Sequence, residues 1–162
     1  MNVTEHPDDR MAAETPPRGD EFPMPEERRL DVLARAEPDA LKQLAETLLP
    51  AMDDLEVVSS RTGLALLPCR DSVTGTLFHL GEVLIAEAHI RLAARNVEGY
   101  GAIVGRDLER AMGMAVIDAA LTAGEAPESV HTFLANEARR QAAEDEARLR
   151  KVEATRVEME SF

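Results

Sequence analysis

The sequence predicts an α+β fold: a small antiparallel sheet with a helix pair before it and helices after it, the last one long. Two changes of period carry this reading. Apolar residues recur at helical spacing near both ends of the chain, and they alternate in the middle. Gly and Pro fall at the junctions. The chain has 162 residues, the size of a single domain, and 44% hydrophobic content supports a core. With no Trp and 3% aromatics, that core must come from Leu, Val, Ile, Ala and Met.

Residues 1–25 hold five of the nine prolines and no periodic apolar pattern, and are expected to be a disordered acidic tail; residues 26–162 are the domain. "EERRLDVLARA" places Leu30, Leu33 and Ala34 on one helix face, and "PDALKQLAETLLP" places Leu41, Leu44, Leu48 and Leu49 on another, between Pro38 and Pro50. "LEVVSSR" and "TGLALLPCR" read as two strands, with Thr62-Gly63 as the breaker, and "DSVTGT" as a loop. In "LFHLGEVLIAEAHIRL", Leu84, Ala86, Ala88, Ile90 and Leu92 point one way, while Glu87, His89 and Arg91 form a wet face that His79 shares by parity. "ARNVEG" turns the chain and "YGAIVG" returns as a strand. A helix follows with Asp107 as N-cap and Leu108, Ala111, Met112, Ala115 and Ala119 on neighbouring faces, ending before Gly124 and Pro127. From Glu128 to Phe162 one long helix has a thin apolar stripe: Val130, Phe133, Leu134, Ala138, Leu149, Val152 and Met159. A stripe of that kind must be covered by the domain or by a partner.

The net charge of −13 opposes binding to nucleic acid and to anionic membranes. One cysteine, Cys69, excludes an intrachain disulfide and suits a reducing compartment. The N-terminus lacks the apolar segment of a secretory signal, and no apolar run reaches about 18 residues, so a soluble cytoplasmic protein is expected.

The densest cluster of potential site residues is "VEGYGAIVGRDLERA". Its glycines fail the dinucleotide fingerprint in spacing, and no Lys-Ser/Thr follows them as in a P-loop. At the strand-to-helix junction Gly105 can turn the backbone, Arg106 can clamp an anion or sit in an ion pair, and Asp107 partly neutralises the helix end. Glu87 and His89 lie two apart on one strand face, a spacing open to a metal, but no third ligand is evident; a solvated or partner-facing row is the simpler reading. Cys69 has no histidine placed to activate it and reads as an inert thiol. Asp118, within "MAVIDAAL", reads as a buried, hydrogen-bonded carboxylate or an interface contact; His131 reads as a surface residue, and His6 falls in the tail. No catalytic residue and no metal site stands out. Gly105, Arg106, Asp107, Glu87, His89 and Arg156 are the candidates for anion or partner contact.

"TGL", "LGEVLIAEAHIRL", "GYGAIVGRDLERAMGMAVIDAAL" and "EATRVEM" occur in the order found in the PhnG family, which the chain resembles over roughly residues 26–158. It departs at Ala86-Glu87, where many relatives carry Thr-Arg. The resemblance implies a subunit of the carbon–phosphorus lyase core complex, with partners PhnI, PhnH and PhnJ, a second PhnG copy, and transiently PhnL. It implies an assisting role in making α-D-ribose 1-methylphosphonate 5-triphosphate from ATP and methylphosphonate with release of adenine. ATP is then used by the complex, and no cofactor is bound by this chain alone. Two other readings stay open: a stand-alone anion-binding phosphotransferase, and a DNA-binding regulator suggested by two short helices before a hairpin.

Overall fold

The computed structural model describes residues 24–155. The proposed tail, Arg156 and Met159 lie outside the described residues, apart from Met24 and Pro25. In order come α1 (Glu26–Ala34), α2 (Pro38–Leu48), a 3-10 turn (Leu49–Ala51), β1 (Leu55–Arg70), β2 (Leu77–Leu92), β3 (Val97–Val104), α3 (Leu108–Thr122) and α4 (Glu128–Ala154). The expected α+β class, the helix pair and the antiparallel sheet are all present, and the strand order is β1-β2-β3.

The local chemistry explains the ends of the elements. Pro38 opens α2, and the Glu37 carboxylate accepts from the Asp39 and Ala40 amides at 3.3 and 2.7 Å. Between β1 and β2, Asp71 accepts from the Val73 and Thr74 amides at 3.0 and 3.2 Å, and Gly75 takes φ +69°. Asn96, at φ 52°, closes the turn between β2 and β3.

α3 is the centre of the molecule. Nine of its 15 residues are buried, so it is enclosed on most sides by β2, β3, α1 and α2. Its small residues Ala111, Ala115 and Ala119 meet Gly99 and Gly101 of β3. A Cβ on Gly101 would sit 2.0 Å from the Ala111 carbonyl oxygen, and one on Gly99 would sit 2.3 Å from that of Ala115. Those two glycines let backbone touch backbone, so their role is helix–sheet packing. α4 is held across the α1–α2 corner: Gln141 donates to the Val32 carbonyl at 2.9 Å, and the Glu37 amide donates to Glu137 at 3.2 Å.

Three expectations need correction. Thr62-Gly63 does not break the strand: Thr62 pairs with Ala86 and Gly63 with Ile85 inside one continuous ladder. The alternation of β2 buries Ala86, Ala88, Ile90 and Leu92 but leaves Leu84 37% exposed. A 15-residue helix is about 22 Å long and a 16-residue strand about 54 Å, so α3 cannot cover the whole of β2. Finally, Leu67 pairs with Gly81 and Pro68 with His79, leaving Leu80 as an extra residue. The alternation switches there, and His79 does not share the face of His89. On α4, Val130, Leu134 and Ala138 are buried, whereas Leu149 and Val152 are exposed.

Candidate functional site

The sheet face turned away from α3 carries a polar array, set by the register of the β2–β3 hairpin. His89 lies opposite Tyr100 and Arg91 opposite Glu98. On the other side of β2, Arg61 lies opposite Glu87 and Ser59 opposite His89. Because Gly99 and Gly101 point at α3, the residue between them, Tyr100, points outward. Its ring stacks on His89 with centroids 4.3 Å apart and planes 18° from parallel.

Glu98 is the hub. It accepts from the Tyr100 hydroxyl at 2.7 Å and from Arg91 Nε and Nη2 at 3.2 and 3.0 Å. His89 Nε2 stands 3.1 Å from the same carboxylate, an ion-pair distance, but it is not aligned as a hydrogen bond. The Tyr100 hydroxyl first, then Arg91 and His89, hold the Glu98 carboxyl down at about 2 from the usual 4.5. Glu98 in turn pushes the Tyr100 phenol up. A carboxylate that stable is a poor base, and a phenol held in its neutral form is a poor nucleophile. Beside them Arg61 donates to Glu87, and a shallow depression of about 270 Å³ lies between Arg61, Glu87, His89 and Tyr100.

The corner after β3 is separate. Gly105 takes φ +118° and its amide donates to the Leu84 carbonyl at 2.9 Å. Asp107 caps α3, accepting from the Arg110 amide at 2.9 Å, and pairs with Lys42 of α2 at 2.9 Å. Lys42, together with that amide, holds the Asp107 carboxyl below its usual range. Arg106 is exposed, and among the described residues no ion-pair partner is seen for it, so of its two readings the ion pair is the one not found. Sequence spacing found Glu87, His89, Gly105 and Asp107. It missed Arg61, Glu98, Tyr100 and Lys42. Cys69 pairs with Phe78 at the far end of β1, remote from the array.

Asp118 is 2% exposed, in keeping with the buried carboxylate expected. It accepts from Arg29 of α1 at 2.9 Å and from the Tyr100 amide at 3.0 Å. Among the described residues no group of three His, Cys, Asp or Glu side chains is placed to hold a metal ion, and no helix is long and apolar enough to cross a membrane.

A comparison with curated proteins finds no match. A family model described as phosphonate metabolism protein PhnG matches residues 25–162, which takes in both halves of the array, the Gly105–Asp107 corner and the terminal helix. The chain therefore belongs to the PhnG family of phosphonate metabolism.

Proposed function

We propose that this chain is a subunit of the carbon–phosphorus lyase core complex and acts without an active site of its own. It would assist formation of α-D-ribose 1-methylphosphonate 5-triphosphate from ATP and methylphosphonate, with release of adenine, in the cytoplasm. PhnI, PhnH and PhnJ are its partners, with a second copy of this chain and transient contact with PhnL. Family membership supports the pathway. The observation that favours a non-catalytic role is the internal neutralisation of the array: Glu98 is satisfied by Tyr100, Arg91 and His89, and Glu87 by Arg61. A surface of mutually paired charges fixes the orientation of a docking partner better than it moves protons.

Three exposed surfaces are assigned to contact with PhnI or the second copy: the open sheet face, Arg106 at the corner, and the end of α4 with Leu149 and Val152. Removing α4 entirely would strip Val130 and Leu134 from the core, so the test uses exposed positions. Arg106→Ala combined with Leu149→Asp should reduce recovery of PhnI with the tagged chain by about tenfold, equivalent to about 1.4 kcal/mol. Thermal unfolding of the isolated variant should be unchanged. Wild-type recovery of PhnI by this double variant would refute the assignment of these contacts. ATP-dependent turnover of methylphosphonate by the isolated chain would refute the non-catalytic reading.

A further inference from the structure

β1 and β2 continue well past the end of β3 as a two-stranded arm. β3 pairs with β2 only as far as Ile85, and no residue from 53 to 85 is buried. β1 is also a border strand of the sheet, and the register tells which of its backbone groups are open. The Ala93 amide donates to the Asp54 carbonyl on the β1 side, and the Gly105 amide donates to the Leu84 carbonyl from the β3 side. Antiparallel ladders alternate, so odd residues of β2 turn their backbone groups to β1 and even ones to β3. Ser59, Arg61, Gly63, Ala65 and Leu67 stand opposite odd residues and are engaged with β2. Ser60, Thr62, Leu64 and Leu66 turn their N–H and C=O groups outward, along about 20 Å of even register. Border strands are commonly blunted by charges, prolines or bulges. From Ser59 to Leu67 the one formal charge is Arg61, held by Glu87, while Pro68 and both irregularities of the ladder fall outside the stretch.

The surroundings of this edge select the strand that fits it. The side chains of the four outward residues lie on the α3 side of the sheet, where Leu64 is 66% exposed and Leu66 55%. At Ser60 the edge opens on a groove of about 510 Å³ between α2 and α3, with Leu49, Leu108 and Met112 in its lining. Glu46 and Glu109 line it too, and Lys42, the cation there, is already held by Asp107 and Glu109. At the other end Glu82 stands opposite Leu66. Carboxylates thus flank an apolar centre, in a chain whose net charge is −13. We propose that the outer edge of β1 takes an extended segment of a partner protein as an added antiparallel strand, apolar at alternate positions and basic at both ends. Backbone pairing from Ser60 to Leu66 supplies the affinity, and the groove and the carboxylates supply the choice of sequence. Basic side chains lay their stems on Leu108 and Leu66 and bring their charges towards Glu46 and Glu82. This edge is separate from the three surfaces assigned above, and its test needs neither PhnI nor ATP, so each can fail without the other.

The probe is a fluorescent peptide, blocked at both ends, in which lysine, threonine, valine, threonine, valine, threonine and lysine follow in order. It should bind the isolated full chain at low salt with a Kd of about 100 µM. Its two valine amides face β1 in this register, so methylating those nitrogens should abolish binding. Methylating the threonine amides, which face away, should change the Kd by no more than about twofold. Leu64→Pro removes one outward N–H and should weaken binding about tenfold with thermal unfolding unchanged, since that N–H makes no bond to β2. Glutamate in place of both lysines, or Glu46→Lys in the chain, should each weaken binding about fivefold. Equal effects of the two methylated peptides, binding insensitive to Leu64→Pro, or no binding at about 1 mM peptide would overturn the proposal. So would a wild-type dimer in sedimentation that Leu64→Pro dissolves, because the edge would then belong to a second copy.

Discussion

Glu98 governs the chemistry of the open face. Its folded-state carboxyl titrates at about 2 and its unfolded one near 4.5, so the native state binds its proton less readily. Linkage then fixes the sign: the stabilisation from Glu98 is present above about 4.5 and is lost as pH falls towards about 2. Glu98→Gln should therefore show a shallower fall in thermal midpoint than wild type across that window, and equal acid sensitivity in the two proteins would exclude Glu98 as the source. Asp118 gives a second prediction at this scale. Asp118→Ala leaves the Arg29 guanidinium, 13% exposed, without its anion and the Tyr100 amide without an acceptor. Loss of one member of a buried pair costs about 3–5 kcal/mol, measurable by urea unfolding. Asp118→Asn keeps an acceptor for Tyr100 and should cost less; equal losses would mean that charge alone matters. The sequence marked Asp118 as a carboxylate in an apolar run, but Arg29 lies 89 positions away, and no local pattern encodes such a contact.

Among the elements, β3 and α3 meet backbone to backbone at Gly99 and Gly101. Gly101→Ala would push a methyl group into the Ala111 carbonyl oxygen, which belongs to the helix backbone and cannot rotate aside. A loss of about 3 kcal/mol is expected in denaturant unfolding, the cost of overpacking at a rigid site. Gly63→Ala meets nothing within 4 Å and should be tolerated, which separates backbone contact from a general need for glycine in strands. Strand and helix periods were legible in the sequence, and so was the hairpin turn. From that turn the pairing of Arg91 with Glu98 and of His89 with Tyr100 follows by counting outward, so half of the polar array was within reach of sequence reasoning. The glycines of "GYG" carry the motif-like pattern, while the residue that faces the array, Tyr100, sits between them. The capping role of Asp107 was equally legible, since a cap needs only its own helix. Lys42, which pairs with that cap from α2, was not.

For the whole molecule, periodicity could not reveal the length of the arm. Alternation marks a strand as having two faces, but whether something covers each face depends on elements elsewhere in the chain. Here the limit is the reach of α3. Since residues 53–85 contribute nothing buried, the core should be indifferent to the arm. Replacing residues 64–83 by a two-residue turn should leave the thermal midpoint within about 3 °C of the intact chain. A drop of about 10 °C would show that the ribbon supports the core after all.

The bond from the Tyr100 amide to Asp118 bears on how this sheet can grow. Tyr100 lies on β3, a border strand whose outward amides would otherwise be open to another strand. Asp118 occupies that amide from within the same molecule. Strand addition at the β3 margin is thus barred at its midpoint. A peptide or neighbouring chain seeking to extend the sheet is directed to the β1 margin, where the irregularities near Val57 and at Leu67-Pro68 confine an even register to the stretch from Ser59 to Leu67.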